Sequence, residues 1–188
     1  IERALSFGAE FIRFEDDSLP SGRPHVLAIC DGIRRRGLKF EFWISARPSA
    51  LDEDLTAALA SAGCRHVGLG AESGSDRVLA LMKKGETAED ARRAAANLRR
   101  HGIAAKFNWI LGYPGERPED VRATLDAAAE ISRIHPGASH IINIFAPYPG
   151  TEAFDEARRL GFRPPDGLEG WGRDFRENAA ALPYVDRP

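Results

Sequence analysis

The stretch Lys39-Phe40-Glu41-Phe42-Trp43-Ile44-Ser45 alternates strictly, so a strand there turns Phe40, Phe42 and Ile44 to one face and Lys39, Glu41, Trp43 and Ser45 to the other. The same division recurs along the chain. Ile12 and Phe14 oppose Arg13 and Glu15, Val67 and Leu69 oppose Gly68 and Gly70, and Phe107, Trp109 and Leu111 oppose Lys106, Asn108 and Ile110. Segments of helical period separate these runs, which is the pattern of repeated βα units around a parallel sheet. Strands are expected near 10–16, 39–45, 66–71, 105–112 and 139–146, and helices near 23–36, 52–62, 76–82, 88–101, 118–133 and 151–160. Gly37, Gly63, Gly102 and Gly161 follow helical runs, while Asp52 and Pro118 suit first turns. A closed eight-stranded barrel fills its interior with branched apolar side chains, and a doubly wound sheet is apolar on both faces. One apolar and one polar face instead fit an α/β fold of parallel strands: an incomplete, TIM-like βα barrel with helices outside and a wet interior. An open sheet with one solvated face satisfies the same alternation.

The composition excludes several classes. With 26 Lys and Arg against 28 Asp and Glu, the chain has no large basic field for nucleic acid or anionic lipid. No apolar run approaches the roughly 20 residues of a spanning helix, and no secretory leader pattern is present, so the chain reads as cytoplasmic, with neither nucleic acid nor membrane as partner. Cys30 falls with Val26, Ile29 and Ile33 on a helical stripe and Cys64 follows Gly63 at a helix-to-strand junction; both read as core thiols. The five histidines show neither the spacing nor the cysteine neighbours of a metal site. Residues 1–161 read as one barrel domain, and 162–188, with Trp171, Phe175 and Tyr184, as an irregular extension after Pro164-Pro165.

Ligands of parallel α/β folds bind at the carboxyl ends of strands, and each expected end carries binding chemistry. Glu15-Asp16-Asp17 suits an ammonium group or metal, or forms a solvated acidic turn. Ser45-Ala46-Arg47 presents a guanidinium that can grip a carboxylate with two hydrogen bonds. In Gly70-Ala71-Glu72-Ser73-Gly74 a carboxylate can accept ribose hydroxyls where glycines admit close approach. Gly112-Tyr113-Pro114-Gly115-Glu116 and Pro147-Tyr148-Pro149-Gly150-Thr151 are rigid turns whose backbone could bracket a flat base.

Phe14-Glu15-Asp16-Asp17, Trp43 with Arg47, Ala62-Gly63-Cys64, Gly70-Ala71-Glu72-Ser73-Gly74-Ser75 and Met82-Lys83-Lys84-Gly85-Glu86-Thr87 follow one another in order. With the two later turns, this series resembles the radical S-adenosylmethionine (SAM) enzymes, most closely the branch carrying an N-terminal cobalamin-binding domain. The resemblance implies a six-strand partial barrel in which SAM chelates a [4Fe–4S] cluster and is cleaved to a 5′-deoxyadenosyl radical. It further implies a small-molecule substrate, an electron donor such as flavodoxin or ferredoxin, and methyl transfer or ring formation as outcomes, with cobalamin in one branch. By position it assigns Asp16 and Asp17 to the methionine amino group, Arg47 to its carboxylate, and Glu72 with Ser73 to the ribose. Ile110, Gly112 and Tyr148 flank the adenine, and Ser45 and Asn108 complete the cofactor set. The family holds its cluster with a CxxxCxxC motif that this sequence lacks, so the first strand is expected to be missing by truncation and the chain inactive by itself. A non-catalytic nucleotide-binding module on the same fold, and a barrel lyase or hydrolase with Lys106 as Schiff-base candidate, are the competing readings.

Overall fold

The computed structural model describes residues 1–16, 18, 22–174 and 182–184, with the backbone alone for 172–174. Five strands, β1 (Phe11–Arg13), β2 (Glu41–Ala46), β3 (Cys64–Glu72), β4 (Ala104–Leu111) and β5 (Ser139–Ile144), form one sheet in the order β1-β2-β3-β4-β5, each pair parallel. Spatial order equals sequence order. Every crossover therefore steps to the next strand in the same direction, which is the winding of a barrel; a doubly wound sheet reverses direction at a switch point.

The helices are α1 (Glu2–Ser6), α2 (Arg23–Arg35), α3 (Glu53–Ser61), α4 (Asp76–Leu81), α5 (Ala88–Arg100), α6 (Pro118–Ile134), α7 (Glu152–Arg159) and α8 (Gly167–Asp174). Local chemistry starts several of them. Asp52 accepts from Leu55 N–H, Ser75 from Val78 N–H, and Thr87 with Asp90 forms a reciprocal capping box. The apolar parity becomes the core: Phe42, Ile44, Val67, Leu69, Phe107 and Trp109 are at most 1% exposed. They pack with Val26, Cys30 and Ile33 of α2, Leu55 and Leu59 of α3, Leu98 and the alanines of α5, and Ile131 of α6. Truncating such a side chain to alanine typically costs about 2–5 kcal/mol, so this layer carries the fold.

Histidines serve this packing. His135 donates from Nε2 to the Ile103 carbonyl (2.9 Å), and Trp109 donates its indole N–H to His140 Nδ1 (3.0 Å). Cys30 and Cys64 are buried in the core, and burial pushes their thiols up to about 11 and about 12.

One expectation is corrected. Residues 167–174 form helix α8 where irregular chain was expected: the prolines lie before the helix, and Pro165 packs against Gly170 inside it, a Cβ there coming within 3.0 Å of the proline ring. The last strand is less covered than its neighbours: Ile142 and Ile144 are in register with Trp109 and Leu111 yet are each 46% exposed.

Candidate functional site

At the carboxyl end of β3 the ladder slips: Gly70 pairs with Asn108 and Glu72 with Trp109, leaving Ala71 as an extra residue. Glu72 has φ +62, in the left-handed region that a non-glycine residue occupies only when its surroundings impose it. Its carboxylate folds back over Gly70, where a Cβ would collide with Glu72 Oε1 and stand 3.2 Å from Lys84 Nζ. A side chain at position 70 would have to displace that carboxylate. Lys84 donates to Glu72 Oε1 at 3.0 Å, with both side chains about one-fifth exposed (21% and 19%).

The turn after α4 brings Lys84 there. Lys83 has φ +53 and Gly85 φ +67, and the Lys84 N–H closes on the Leu79 carbonyl at 3.0 Å. Arg47, from the exit of β2, donates to the Lys84 carbonyl and lies 3.4 Å from Glu86 Oε2. Glu86 is itself fixed, its Oε1 accepting from the backbone N–H (2.8 Å) and hydroxyl (2.5 Å) of Ser49. Three loops are tied by charge at one rim, the Lys84 ammonium standing beside the Glu72 carboxylate and the Arg47 guanidinium beside that of Glu86.

Lys84 and Glu86 were not singled out as site residues. Their signal was the charged run Lys83-Lys84-Gly85-Glu86 directly behind a short helix, which a solvated loop would also show.

The other expected site residues separate into two groups. Ser45, Asn108 and Ile110 are partly buried on the polar face, Ser45 and Asn108 in register with Gly68 and Gly70. Gly112 is buried with φ +79 and donates its N–H to Glu116 Oε2 at 2.5 Å. Tyr148 stands 59% exposed after β5, and Asp16 is exposed after β1, where Glu15 is engaged by Arg13 at 2.9 Å. Asp17 lies outside the described residues.

Ser73 points away from the rim. It is 0% exposed, shares a hydrogen bond with the Thr124 hydroxyl (3.1 Å) and accepts from Ser75 N–H (3.1 Å). Its place beside Glu72 in sequence does not make it a ribose partner, because the positive-φ residue reverses the chain and drives the next side chain under α6.

Around Ser73 lies a closed cluster. Ser75 donates to Asp120 Oδ1 at 2.5 Å, Arg77 pairs with Asp120, and Arg77 also donates to the Gly115 carbonyl at 2.8 Å. Burial alone would raise Asp120, but Arg77, Ser75 and the Arg117 N–H outweigh it and hold the carboxyl at about 2. Glu116 is pushed upward, chiefly by burial. A cavity of about 600 Å³ lies at the opposite end of the sheet near Glu10, Phe40 and Gly63, where Arg65 and Glu41 pair with each other (3.3 Å). It lies away from the carboxyl-end rim.

Comparison with known proteins meets this geometry. The model of the radical SAM superfamily matches residues 17–128, more than half of the chain. The chain belongs to the radical SAM superfamily. It is 29% identical over 151 residues to an uncharacterized methyltransferase of Pyrococcus horikoshii, covering 80% of this chain and 32% of that protein. It is 35% identical over 133 residues to the tRNA-2-methylthio-N(6)-dimethylallyladenosine synthase of Legionella pneumophila, covering 69% of this chain and 28% of the relative. Among solved structures it is similar to the radical SAM methyltransferase TsrM of Kitasatospora setae, solved with cobalamin and a [4Fe–4S] cluster. That match has a TM-score of 0.74 and 27% identity over 88% of this chain and 34% of that one. The chain thus spans about a third of the length of these relatives. The five parallel strands are a partial, TIM-like barrel of this superfamily.

The superfamily uses SAM and a [4Fe–4S] cluster. The residues present do not fit the cluster: the two cysteines are buried apart from the rim, and no group of three His, Cys, Asp or Glu among the described residues is placed to hold a metal. They do fit a zwitterionic nucleoside ligand, with an acceptor carboxylate over a glycine, Lys84 beside it, and Arg47 tied to the same loop.

Proposed function

We propose that this chain is the SAM-binding part of the barrel of a radical SAM enzyme that transfers a methyl or methylthio group to a small molecule or nucleoside. The observation that carries this reading is the Glu72 carboxylate held over side-chain-free Gly70 by Lys84, whose own loop is tied by Arg47 through the Lys84 carbonyl. In this reading Glu72 accepts the ribose hydroxyls, Arg47 and Lys84 receive the methionine carboxylate, and Asp16 and Asp17 receive its ammonium. Ser45 and Asn108 line the wall below, while Ile110, Gly112 and Tyr148 border the adenine. Bound SAM supplies this family's radical or methyl group. This chain's residues bind and orient it, exchanging the Lys84–Glu72 pair for ligand contacts of the same sign. Similarity to a methyltransferase and to a methylthio-adenosine synthase supports the group transferred, and similarity to cobalamin-bound TsrM supports cobalamin, and a domain to bind it, in the whole protein.

Calorimetric titration of SAM into the full-length protein tests the site. Glu72→Ala and Arg47→Ala are each expected to weaken binding by about 1–3 kcal/mol, roughly 10- to 100-fold, because each removes charge-assisted hydrogen bonds. Unchanged affinity in both variants overturns the assignment.

A further inference from the structure

Beneath Glu72 the polar face continues down the sheet, and one row of it is chemically unfinished. Ser45, Gly68, Lys106 and Ser139 are successive register partners across β2, β3, β4 and β5. Lys106 lies two residues below Asn108 on the same face, about 7 Å along the strand. Its ammonium stands 5.8 Å from the centre of the Trp43 ring, and no ion pair engages it among the described residues. The Trp43 ring leans over Gly68, where a Cβ would come within 3.3 Å of the indole nitrogen. That nitrogen is buried and has no hydrogen-bond acceptor. Nearby charges are already matched: Arg13, 4.9 Å from the same ring, pairs with Glu15, and Glu72 pairs with Lys84.

Two donors without acceptors thus share one part of the polar face, where Gly68 leaves room for the Trp43 ring. A buried N–H without a partner is unfavourable, and an unpaired ammonium held near an aromatic face calls for an anion. From this we infer that Lys106 and Trp43 form a carboxylate-binding subsite for the substrate, in the lumen below the cofactor. A single unmatched cation with one neutral donor suits the single charge and two oxygens of a carboxylate better than a phosphate dianion. The Trp43 ring adds an apolar wall that favours a flat substrate body. The subsite rests on the lumen being the substrate cavity of a SAM-binding barrel.

The test titrates benzoate, its neutral counterpart benzamide, and inorganic phosphate into the ¹⁵N-labelled full-length protein. The reporter is the Trp43 indole N–H resonance, identified by its loss in Trp43→Phe. Benzoate is expected to move it saturably, benzamide to leave it in place, and phosphate to bind more weakly than benzoate. Lys106→Met should weaken benzoate on the order of 10- to 100-fold, as for loss of a charge-assisted hydrogen bond, and Lys106→Arg should restore most of it. SAM affinity in Lys106→Met should match the wild type. Equal response to benzoate and benzamide, preference for phosphate, no response to any probe, or unchanged benzoate affinity in Lys106→Met overturns the subsite. Failure of wild-type protein to bind SAM would sink the cofactor reading instead, leaving the benzoate titration to judge the subsite on its own.

Discussion

Two polar clusters hang from the single turn that leaves β3, and they differ in what they leave free. On one side Glu72, Lys84, Arg47 and Glu86 join three loops at the open rim, with Lys84 and Glu72 about one-fifth exposed (21% and 19%). On the other, Ser73 and Ser75 are buried against Asp120 and Thr124 of α6, with Arg77 paired to Asp120 and the hydrogen bonds made internally. Both contain carboxylates beside cations. The closed cluster fixes the position of the turn, whereas the rim cluster holds an ion pair that a ligand of matching charge can replace. Stability should therefore reside in the first and affinity in the second.

The largest effect is expected from Asp120→Ala, which leaves Ser75 and Arg77 without their acceptor and should destabilise the fold by about 3 kcal/mol in urea unfolding. This advantage has a pH signature. Asp120 is held at about 2 in the folded chain, below its ordinary value of 3.8, so its contribution is complete above that ordinary value and is lost as pH falls toward 2. The stability gap between wild type and Asp120→Ala should stay constant near neutrality and close across that acidic window; a gap that widened there would refute the account.

Next comes a pair of identical substitutions. At Gly74 a Cβ would stand 2.7 Å from Thr124 Cα, against backbone that cannot yield, so Gly74→Ala should cost about 2 kcal/mol of stability. At Gly70 the obstacle is the Glu72 carboxylate, the end of a flexible side chain. Gly70→Ala should shift thermal unfolding little, less than about 1 kcal/mol, while weakening SAM about tenfold by displacing that carboxylate. Equal loss of stability in both would erase the distinction between the clusters. The smallest effect belongs to Lys84→Met, which removes a partly exposed ion pair and should change stability by less than about 1 kcal/mol. Its reduction of SAM affinity, read by calorimetry, would show whether Lys84 acts as a ligand or only as a stand-in for one.

The strands, the helices and the division into two faces were legible in the text because each depends on local periodicity: Phe42 and Ile44 lie inward on the core, with Glu41 and Trp43 opposite, as their alternation requires. Arg47 and Glu72 were legible too, since strand ends of a parallel sheet converge on one rim. Ser73 was misread and Lys84 passed over for the same reason. Where a side chain points after a bulge depends on one positive φ at Glu72, and what meets it arrives from a loop twelve residues onward.

What the sequence determined by itself is the βα repeat and its polar interior, because hydrophobic alternation acts residue by residue along one strand. Only the tertiary structure decided which polar groups are spent on the fold and which stand free for a ligand. That outcome depends on partners brought together across many residues, as Asp120 is to Ser75, and as Trp43 is to Lys106.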